Sequence, residues 1–382
     1  MDTYFPYDQY VTGKNFVGRR TDVTVLGNLL SQGEHVVLSE PPKTGKTSLV
    51  QQTLYSLRLQ GVTFSVGQFS ALNIRTPEAF LLRLGSTVLR MVGHTPAEYA
   101  DLTARFLGGT HFIFDPVAYE NEGRLPSQTC DLEEADVNAL LRLPFRLAQE
   151  RGDRLILIVD EFQCVTLLDD PDAILRPLSA SLKENKENKR FSYIFCGSGV
   201  NAMKGIFKGS LLFNRMVERM KLSPLDEMEM ADHIHRGFTT AGKVVEKDLL
   251  VGACRLFKGH AWYINHFASI CDGMTRGFLM ESGLVDALNA LISVHEPRFL
   301  DMVSGLTTHQ VNLLRATVDG VTRFSSADVI RNYGLNSSAN VKRVKDALMK
   351  KEVLQFDDDE KPSIIDPLFE YWVRKFYFEI KD

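Results

Sequence analysis

Two short segments carry residue types whose order suits phosphate chemistry. In Glu40-Pro41-Pro42-Lys43-Thr44-Gly45-Lys46-Thr47 every position but the first fits the phosphate-loop pattern G-x-x-x-x-G-K-[ST]. Gly45 lets backbone amides approach a phosphate closely, the Lys46 ammonium neutralises β- and γ-phosphate charge, and the Thr47 hydroxyl can ligate Mg²⁺. Glu40 replaces the first glycine; a carboxylate there repels phosphate if it faces inward, but at a strand end it can point to solvent, with Lys43 offsetting its charge. The second segment, Leu155-Ile156-Leu157-Ile158-Val159, ends in Asp160-Glu161. Two adjacent acids at the end of a buried strand are unfavourable unless a cation or a water uses them. Asp160 is placed to hold the shell of a Mg²⁺ ion, and Glu161 to orient and polarise an attacking water. The bland readings are a turn with a helix N-cap at Thr44 or Thr47, and a solvated acidic turn. The two motifs together favour the phosphate reading.

The elements around these segments follow from periodicity. Residues 35–38 form a β-rich run, and Leu49, Val50, Leu54 and Leu57 then repeat at helical spacing, which reads strand, loop, helix. Further strands are expected at Val62 to Phe69, Leu155 to Val159, Tyr193 to Phe195 and, more weakly patterned, Met220 to Leu222. Strands alternating with helix-length segments imply a parallel sheet covered on both faces. Residues 107–130, punctuated by Gly and Pro, read as a long loop. After Ser223-Pro224 the pattern turns helical, with Met230, Ile234 and Phe238 spaced by four. From Gly305 helices are expected at Thr308 to Val318, Ser326 to Tyr333 and Ser338 to Lys351, then a hairpin through Val353 to Phe356 and Ser363 to Ile365, a winged-helix order. The expected division is 1–223 as an α/β core, 224–303 as a helical subdomain and 304–382 as a winged helix.

Composition sets outer bounds. The chain has 382 residues, 44% apolar and 24% charged, as expected of two or three globular domains and not of a disordered protein. Lys plus Arg total 44 against 48 Asp plus Glu, so no global basic field marks it for nucleic acid or anionic membranes. The cysteines Cys130, Cys164, Cys196, Cys254 and Cys271 include no close pair, which disfavours a disulfide framework or a zinc knuckle. No apolar run approaches the ~18 residues of a membrane span. A cytoplasmic protein without membrane contact is the expectation.

Asn15-Phe16-Val17-Gly18-Arg19-Arg20, Pro41-Pro42-Lys43-Thr44-Gly45-Lys46-Thr47-Ser48-Leu49, Val159-Asp160-Glu161-Phe162-Gln163 and Cys196-Gly197-Ser198 together resemble the archaeal-type AAA-like ATPases, a STAND-related branch of the P-loop NTPases. The resemblance covers nearly the whole chain. It implies an ATPase core of AAA-like type with strand order 5-1-4-3-2, a helical lid, a C-terminal winged helix, and Mg²⁺ with ATP as the ligand of Pro41, Pro42, Lys43, Thr44, Gly45, Lys46, Thr47 and Ser48. Lys46 and Glu161 are then catalytic, and Thr47 and Asp160 hold the metal. Ser198 stands where the family places its sensor; the alternative is a plain strand-to-loop turn. Arg215, in Phe213-Asn214-Arg215-Met216, aligns with a Gly-Arg element whose guanidinium can act as a finger on the γ-phosphate, in cis or on a neighbouring copy, although Asn214 replaces the glycine; a structural salt bridge is the alternative. Lys258-Gly259-His260-Ala261-Trp262-Tyr263 resembles the lid signature Gly-x-Pro-x-Tyr, with Ala261 in place of Pro.

Other candidates are poorer. His233 and His235 point to different sides of a helix and do not share a metal, and Asp169-Asp170 with Asp172 read as a solvated helix start. In the winged helix, Val341, Val344 and Leu348 form a buried stripe, which leaves Lys342, Arg343, Lys345 and Lys350 facing outward. The wing, however, carries Asp357-Asp358-Asp359-Glu360, and residues 305–382 hold 12 Lys plus Arg against 12 Asp plus Glu. DNA binding stays open on equal terms with contact to a protein partner or docking within the chain. The expected activity is an ATP-hydrolysing switch, with self-association possible through Arg215; the alternative is a nucleotide-binding adaptor or scaffold with little turnover.

Overall fold

The structure, a computed structural model, describes residues 4–121, 132–209, 211–357 and 359–380. Its packing forms two compact units. One comprises Thr21–Glu40 and Thr53–Leu222; the other comprises Met1–Arg20, Pro41–Gln52 and Ser223–Asp382.

The first unit is built on five strands, β1 (Val36–Ser39), β2 (Ser65–Ser70), β3 (Leu155–Asp160), β4 (Phe191–Gly197) and β5 (Glu218–Met220). They lie in the order β2-β3-β4-β1-β5, every pair parallel, which from the opposite edge is the implied 5-1-4-3-2. Leu155 to Val159 and all of β4 are buried. Leu157, Val159, Tyr193 and Phe195 join one large core with the helices Pro77–Val92 and Glu134–Arg151, through Leu84, Val88 and other apolar side chains. Side chains alternate across a strand, and Ile156, Ile158 and Ile194 are buried as well, so both faces of the sheet are covered. Ser39 pairs with Gly197 and Val159 with Phe195. The C-terminal ends of β1, β4 and β3 therefore meet at one edge.

Three expectations shift in position. The run from Val62 becomes strand only at Ser65, because Gly61 takes φ +79° and the Val62 N–H donates to Leu57 O at 3.0 Å, a helix-closing bond that uses the residue otherwise free to pair. The fifth strand falls at Glu218–Met220, two residues earlier than read, since it pairs with Val36 to Leu38 and the Leu222 N–H is taken by the Glu40 carboxylate at 2.9 Å. Within 107–130 a short helix, Pro116–Asn121, interrupts the expected loop; Asp115 caps it by accepting from the Val117 and Ala118 N–H groups. Residues 122–131 of that loop, with Cys130, lie outside the described residues.

In the second unit the helices Glu227–Thr240, Lys247–Leu256, Ala261–Met274 and Glu281–Ser304 follow one another, with a two-stranded parallel pair, β6 (Val244–Val245) and β7 (Phe278–Leu279), that periodicity did not reveal. Then come Thr308–Val318, Ala327–Asn332, Ser338–Lys350 and the antiparallel hairpin β8 (Leu354–Phe356) and β9 (Pro362–Ile364), the winged-helix order, closed by Pro367–Trp372. One apolar core runs through both sets of helices, with Phe267, Leu291, Phe299, Leu313, Leu348 and Trp372 among its members. The N-terminal segment joins it: Phe5 is fully buried, 4.7 Å from the Phe238 ring.

Asp366 fastens the winged helix to the helices before it. Its carboxylate accepts from the Leu368 and Phe369 N–H groups, from the Tyr263 hydroxyl at 2.8 Å and from Arg298 at 2.7 Å. Among the described residues no helix is long and apolar enough to cross a membrane.

A buried acid anchors the 108–115 loop of the first unit. Asp136 is 1% exposed and accepts from the His111 N–H, from His111 Nδ1 at 2.9 Å and from the Glu133 N–H. The Asp136 hydrogen bond holds the His111 imidazole above its ordinary 6.5. Burial alone would raise the Asp136 carboxyl, but the His111 and Glu133 donors hold it below its ordinary 3.8. Asp136→Ala strands these donors and should lower the unfolding free energy by ~1–3 kcal/mol in urea titrations. The wild-type advantage should be complete between pH 3.8 and 6.5, fall at higher pH as His111 deprotonates through its raised value, and fall at lower pH as Asp136 protonates through its lowered one. Equal midpoints for the two proteins at pH 6 would contradict this.

Candidate nucleotide site

The chain leaves β1 into the loop Pro41 to Gly45 and enters the helix Lys46–Leu59. The loop is tightly wound: Lys43 takes φ +61° and Gly45 φ +101°. A side chain at Gly45 would be strained in that conformation, and its Cβ would stand 2.9 Å from Arg19 Nη1, so glycine is required here on two grounds. Lys46 is 7% exposed, and its Nζ donates to Pro41 O at 2.9 Å, which holds the ammonium within the curve of the loop. The Thr44 hydroxyl donates to the same carbonyl at 2.9 Å. The first N–H groups of a helix, here from Lys46 onward, have no intrahelical acceptor and favour an anion.

Residues outside the two phosphate motifs brace this loop within its unit. The Arg19 guanidinium donates to Thr44 O at 2.6 Å and to Ser223 O at 2.9 Å. Ser48 Oγ accepts from the Val11 N–H at 3.1 Å, and Gln52 Oε1 from the Gly13 N–H at 2.7 Å. His260 Nε2 lies 3.1 Å from Pro42 O, while its Nδ1 faces the Tyr263 N–H at 3.5 Å. Burial pushes this imidazole down to about 4, so at neutral pH it is uncharged, with its proton on Nε2 donating to Pro42. Only Arg19 and His260 had a signal in the sequence, as members of quoted motifs.

The acids sit at the sheet edge already described. Asp160 ends β3, and its Oδ1 accepts from the Glu161 N–H at 3.0 Å. Glu161 is held at φ +50°, a left-handed conformation rare for a residue with a side chain and most often found where function requires it. Its Oε2 accepts from the Ser198 hydroxyl at 2.5 Å and from Gln163 Nε2, which also lies 3.3 Å from Ser198 Oγ. Glu161, Gln163 and Ser198 thus form one cluster. Gln163 went unassigned in the sequence reading, although it stands two residues after Glu161.

Glu40 is not turned to solvent as expected. Its Oε1 accepts from the Leu222 N–H at 2.9 Å, so the carboxylate ties the end of β1 to the residue beyond β5. Lys43 takes another partner as well, its Nζ lying 3.6 Å from the Trp262 ring centre. Arg215 is not at the edge with Glu161. It precedes β5, at the N-terminal ends of the parallel strands, and lines a cavity of about 320 Å³ with Glu34, His35 and Lys189. Among the described residues its guanidinium has no hydrogen bond or ion pair, so the structural salt bridge is not present.

A magnesium ion prefers a few hard oxygen ligands and keeps the rest of its shell for water and phosphate. Thr47 is exposed, and its hydroxyl has no hydrogen-bond partner among the described residues; Asp160 supplies a carboxylate. Each is an oxygen donor of the kind the ion takes. No group of three His, Cys, Asp or Glu among the described residues makes a metal cage of its own.

Comparison with known proteins places the fold. Residues 297–375 match a family model described as a probable winged helix domain. Over the whole molecule the structure is similar to that of a Walker-type ATPase of Pyrococcus abyssi, at 15% identity and a TM-score of 0.67, covering 97% of this chain and 100% of that one. This chain shares the fold of Walker-type ATPases. It is also similar to the ORC2 protein of Aeropyrum pernix, solved as ADPNP–ADP complexes, at 15% identity and a TM-score of 0.56 over 96% of this chain and 93% of that one. The ADP form of that protein gives 14% identity and a TM-score of 0.54 over 99% and 98%. No curated protein sequence matches the chain.

On this Walker-type fold the winged helix presents a reduced basic face. Lys345 is drawn over the Phe356 ring, 3.8 Å from its centre, and paired with Glu360, so it does not stand outward with Lys342 and Arg343 as expected. Phe369 and Trp372 are buried beside Phe299 and pack the core.

Gly197 closes the cluster around Glu161 sterically. A Cβ there would lie 2.5 Å from Met203 Cγ and 2.7 Å from Gln163 Oε1, so Gly197→Ala must displace the glutamine that holds Glu161. The variant should lose ~1–3 kcal/mol of unfolding free energy. Gly252→Ala, in the helix Lys247–Leu256 with nothing within 4 Å of its Cβ, should be neutral or stabilising by ~0.4–1 kcal/mol. Equal effects at the two sites would show that the packing around Gly197 is not constrained.

Proposed function

We propose that this protein is a Mg²⁺-dependent ATPase acting as a molecular switch. The observation that carries the reading is the clamped carboxylate of Glu161, set by Ser198 and Gln163 at the edge where β1 runs into the phosphate loop. In this reading Pro41, Pro42, Lys43, Thr44, Gly45, Lys46, Thr47 and Ser48 bind the triphosphate, and Lys46 exchanges Pro41 O for phosphate oxygens. Thr47 and Asp160 hold the metal, which supplies charge neutralisation on the phosphates. Glu161 orients a water and takes its proton, and Ser198 and Gln163 fix the carboxylate that does so. The lid and the winged helix change contacts with the nucleotide state through His260, whose proton is bound to the loop carbonyl of Pro42. The setting proposed is cytoplasmic, with a protein partner or DNA at the winged helix; the acid pairing of Lys345 favours the protein. An adaptor with little turnover is the alternative, and Glu161 separates the two.

Lys46→Ala should abolish ATP turnover. Glu161→Gln should retain ATP binding and lose turnover by ~10²-fold or more. EDTA should stop turnover, and added Mg²⁺ should restore it. Full activity in Lys46→Ala, or turnover in Glu161→Gln equal to wild type, would refute the assignment.

One observation favours a second role. The Arg215 guanidinium, without a hydrogen bond or ion pair among the described residues, lies at the edge opposite Glu161, where it is suited to a neighbouring copy's nucleotide rather than its own. Light scattering should then show a rise in mass with a non-hydrolysable ATP analogue for wild type and none for Arg215→Ala; an identical mass in both would remove this role.

A further inference from the structure

Within the second unit a cleft of about 190 Å³ opens on the outer side of the phosphate loop. Pro41, Pro42 and Lys43 form one wall, and Trp262, His295 and Arg298 are among the residues facing them. The charges here are unbalanced. Among the described residues Asp366 is the only carboxylate lining the cleft, and it is already occupied by Arg298 Nη2, the Tyr263 hydroxyl and two backbone N–H groups. Lys43 makes no ion pair among the described residues. Its ammonium rests on the face of Trp262, 3.6 Å from the ring centre; burial first, and then the Arg298 charge, pull its pKa below the ordinary lysine value. Arg298 places only Nη2 in hydrogen bonds, which leaves Nη1 and Nε without partners among the described residues. Two cations thus border one cavity; Asp366 pairs with Arg298, and Lys43 is left with the indole face as its partner.

The geometry points to a second anion site in this cleft, which borrows Lys43 from the triphosphate cradle and in which a phosphate-class oxyanion bridges Lys43 and Arg298. A guanidinium with two unspent N–H edges suits a tetrahedral oxyanion, and a lysine lying on an indole can swing to it as a point charge. The Lys43–Trp262 contact is the cation's resting position, so occupancy is coupled to the indole. Pro42 belongs to the same wall and carries the carbonyl held by His260, so an anion bound here acts directly on the outer face of the loop. The oxyanion has two possible sources, free inorganic phosphate or the terminal phosphate of a nucleotide. The site itself does not depend on the ATPase reading.

The test uses the full chain carrying Lys46→Ala, which removes the phosphate-loop ammonium, with inorganic phosphate as the probe. Tryptophan emission and isothermal titration calorimetry are followed together; the chain has two tryptophans, and Trp372→Phe isolates Trp262. Saturable binding with a change in Trp262 emission is expected. Lys43→Met should weaken it by about tenfold or more, Lys43→Arg should restore most of it, and Arg298→Lys, which keeps the charge but not the fork, should weaken it by a smaller factor. No saturable binding, or binding indifferent to Lys43 and Arg298, overturns the proposal. The source is read in the protein with Lys46 intact: a non-hydrolysable ATP analogue that displaces phosphate identifies the nucleotide's terminal phosphate, and simultaneous binding of both identifies free phosphate. Failure of ATP turnover in the wild type leaves the phosphate titration decisive.

Discussion

The pairing of β1, β4 and β3 in parallel register is the constraint from which the rest follows. Parallel strands all point one way, so their C-terminal ends share an edge, and the residues just past those ends are brought together however distant they are in the chain. Ser39 beside Gly197, and Val159 beside Phe195, place the exit into the phosphate loop, the Asp160-Glu161 pair and Ser198 at that edge. An antiparallel pairing would send one of them to the far side. The register is held by burial: β3 and β4 are apolar on both faces, and sliding one strand by a residue would exchange every side chain between two packed layers.

The second unit depends on a different device, a carboxylate with four donors. Asp366 binds Tyr263 from one helix, Arg298 from another and two N–H groups of its own helix, and the hydroxyl of Tyr263 is held well above its ordinary value by burial and by that acid. A carboxylate drawn partly out of water is tolerated when its lone pairs are filled in this way. The same unit contains Pro41–Gln52, so the turn after β1 and the first half of the helix Lys46–Leu59 pack with the helices and the winged helix. Within it Pro42 and His260 link the segment to the C-terminal helices.

Much of this was legible in the sequence, and the reasons are particular. The five-residue apolar run before Asp160 has no solvated face, so a central strand was its only reading. The phosphate-loop pattern marked the tight turn between β1 and the helix Lys46–Leu59, because Gly45 is required there for its φ of +101°. The winged-helix elements were visible because Val341, Val344 and Leu348 repeat at helical spacing and a turn separates β8 from β9. What stayed hidden depends on contacts between distant residues. Nothing in Glu40 shows that its carboxylate will cap the end of β5, and nothing in Lys43 shows that it will lie on Trp262. Phe5 reads as a terminal residue until Phe238 and Gly237 receive it. The two-residue strands β6 and β7 are too short for any period to register. Arg215 was assigned by resemblance to a Gly-Arg element, and that it lies at the sheet edge away from Glu161 became evident only from the parallel pairing.

The central claim is that one Mg²⁺-bound triphosphate is held by Lys46 and Thr47 together with Asp160, with Glu161 facing its last phosphorus. A crystal structure with a non-hydrolysable ATP analogue and magnesium tests it most directly. The account predicts Lys46 Nζ on phosphate oxygens in place of Pro41 O, the metal between the phosphates and the oxygens of Thr47 and Asp160, and a water between Glu161 and the γ-phosphate. A triphosphate bound away from this loop, or a metal that Asp160 does not approach, would contradict it.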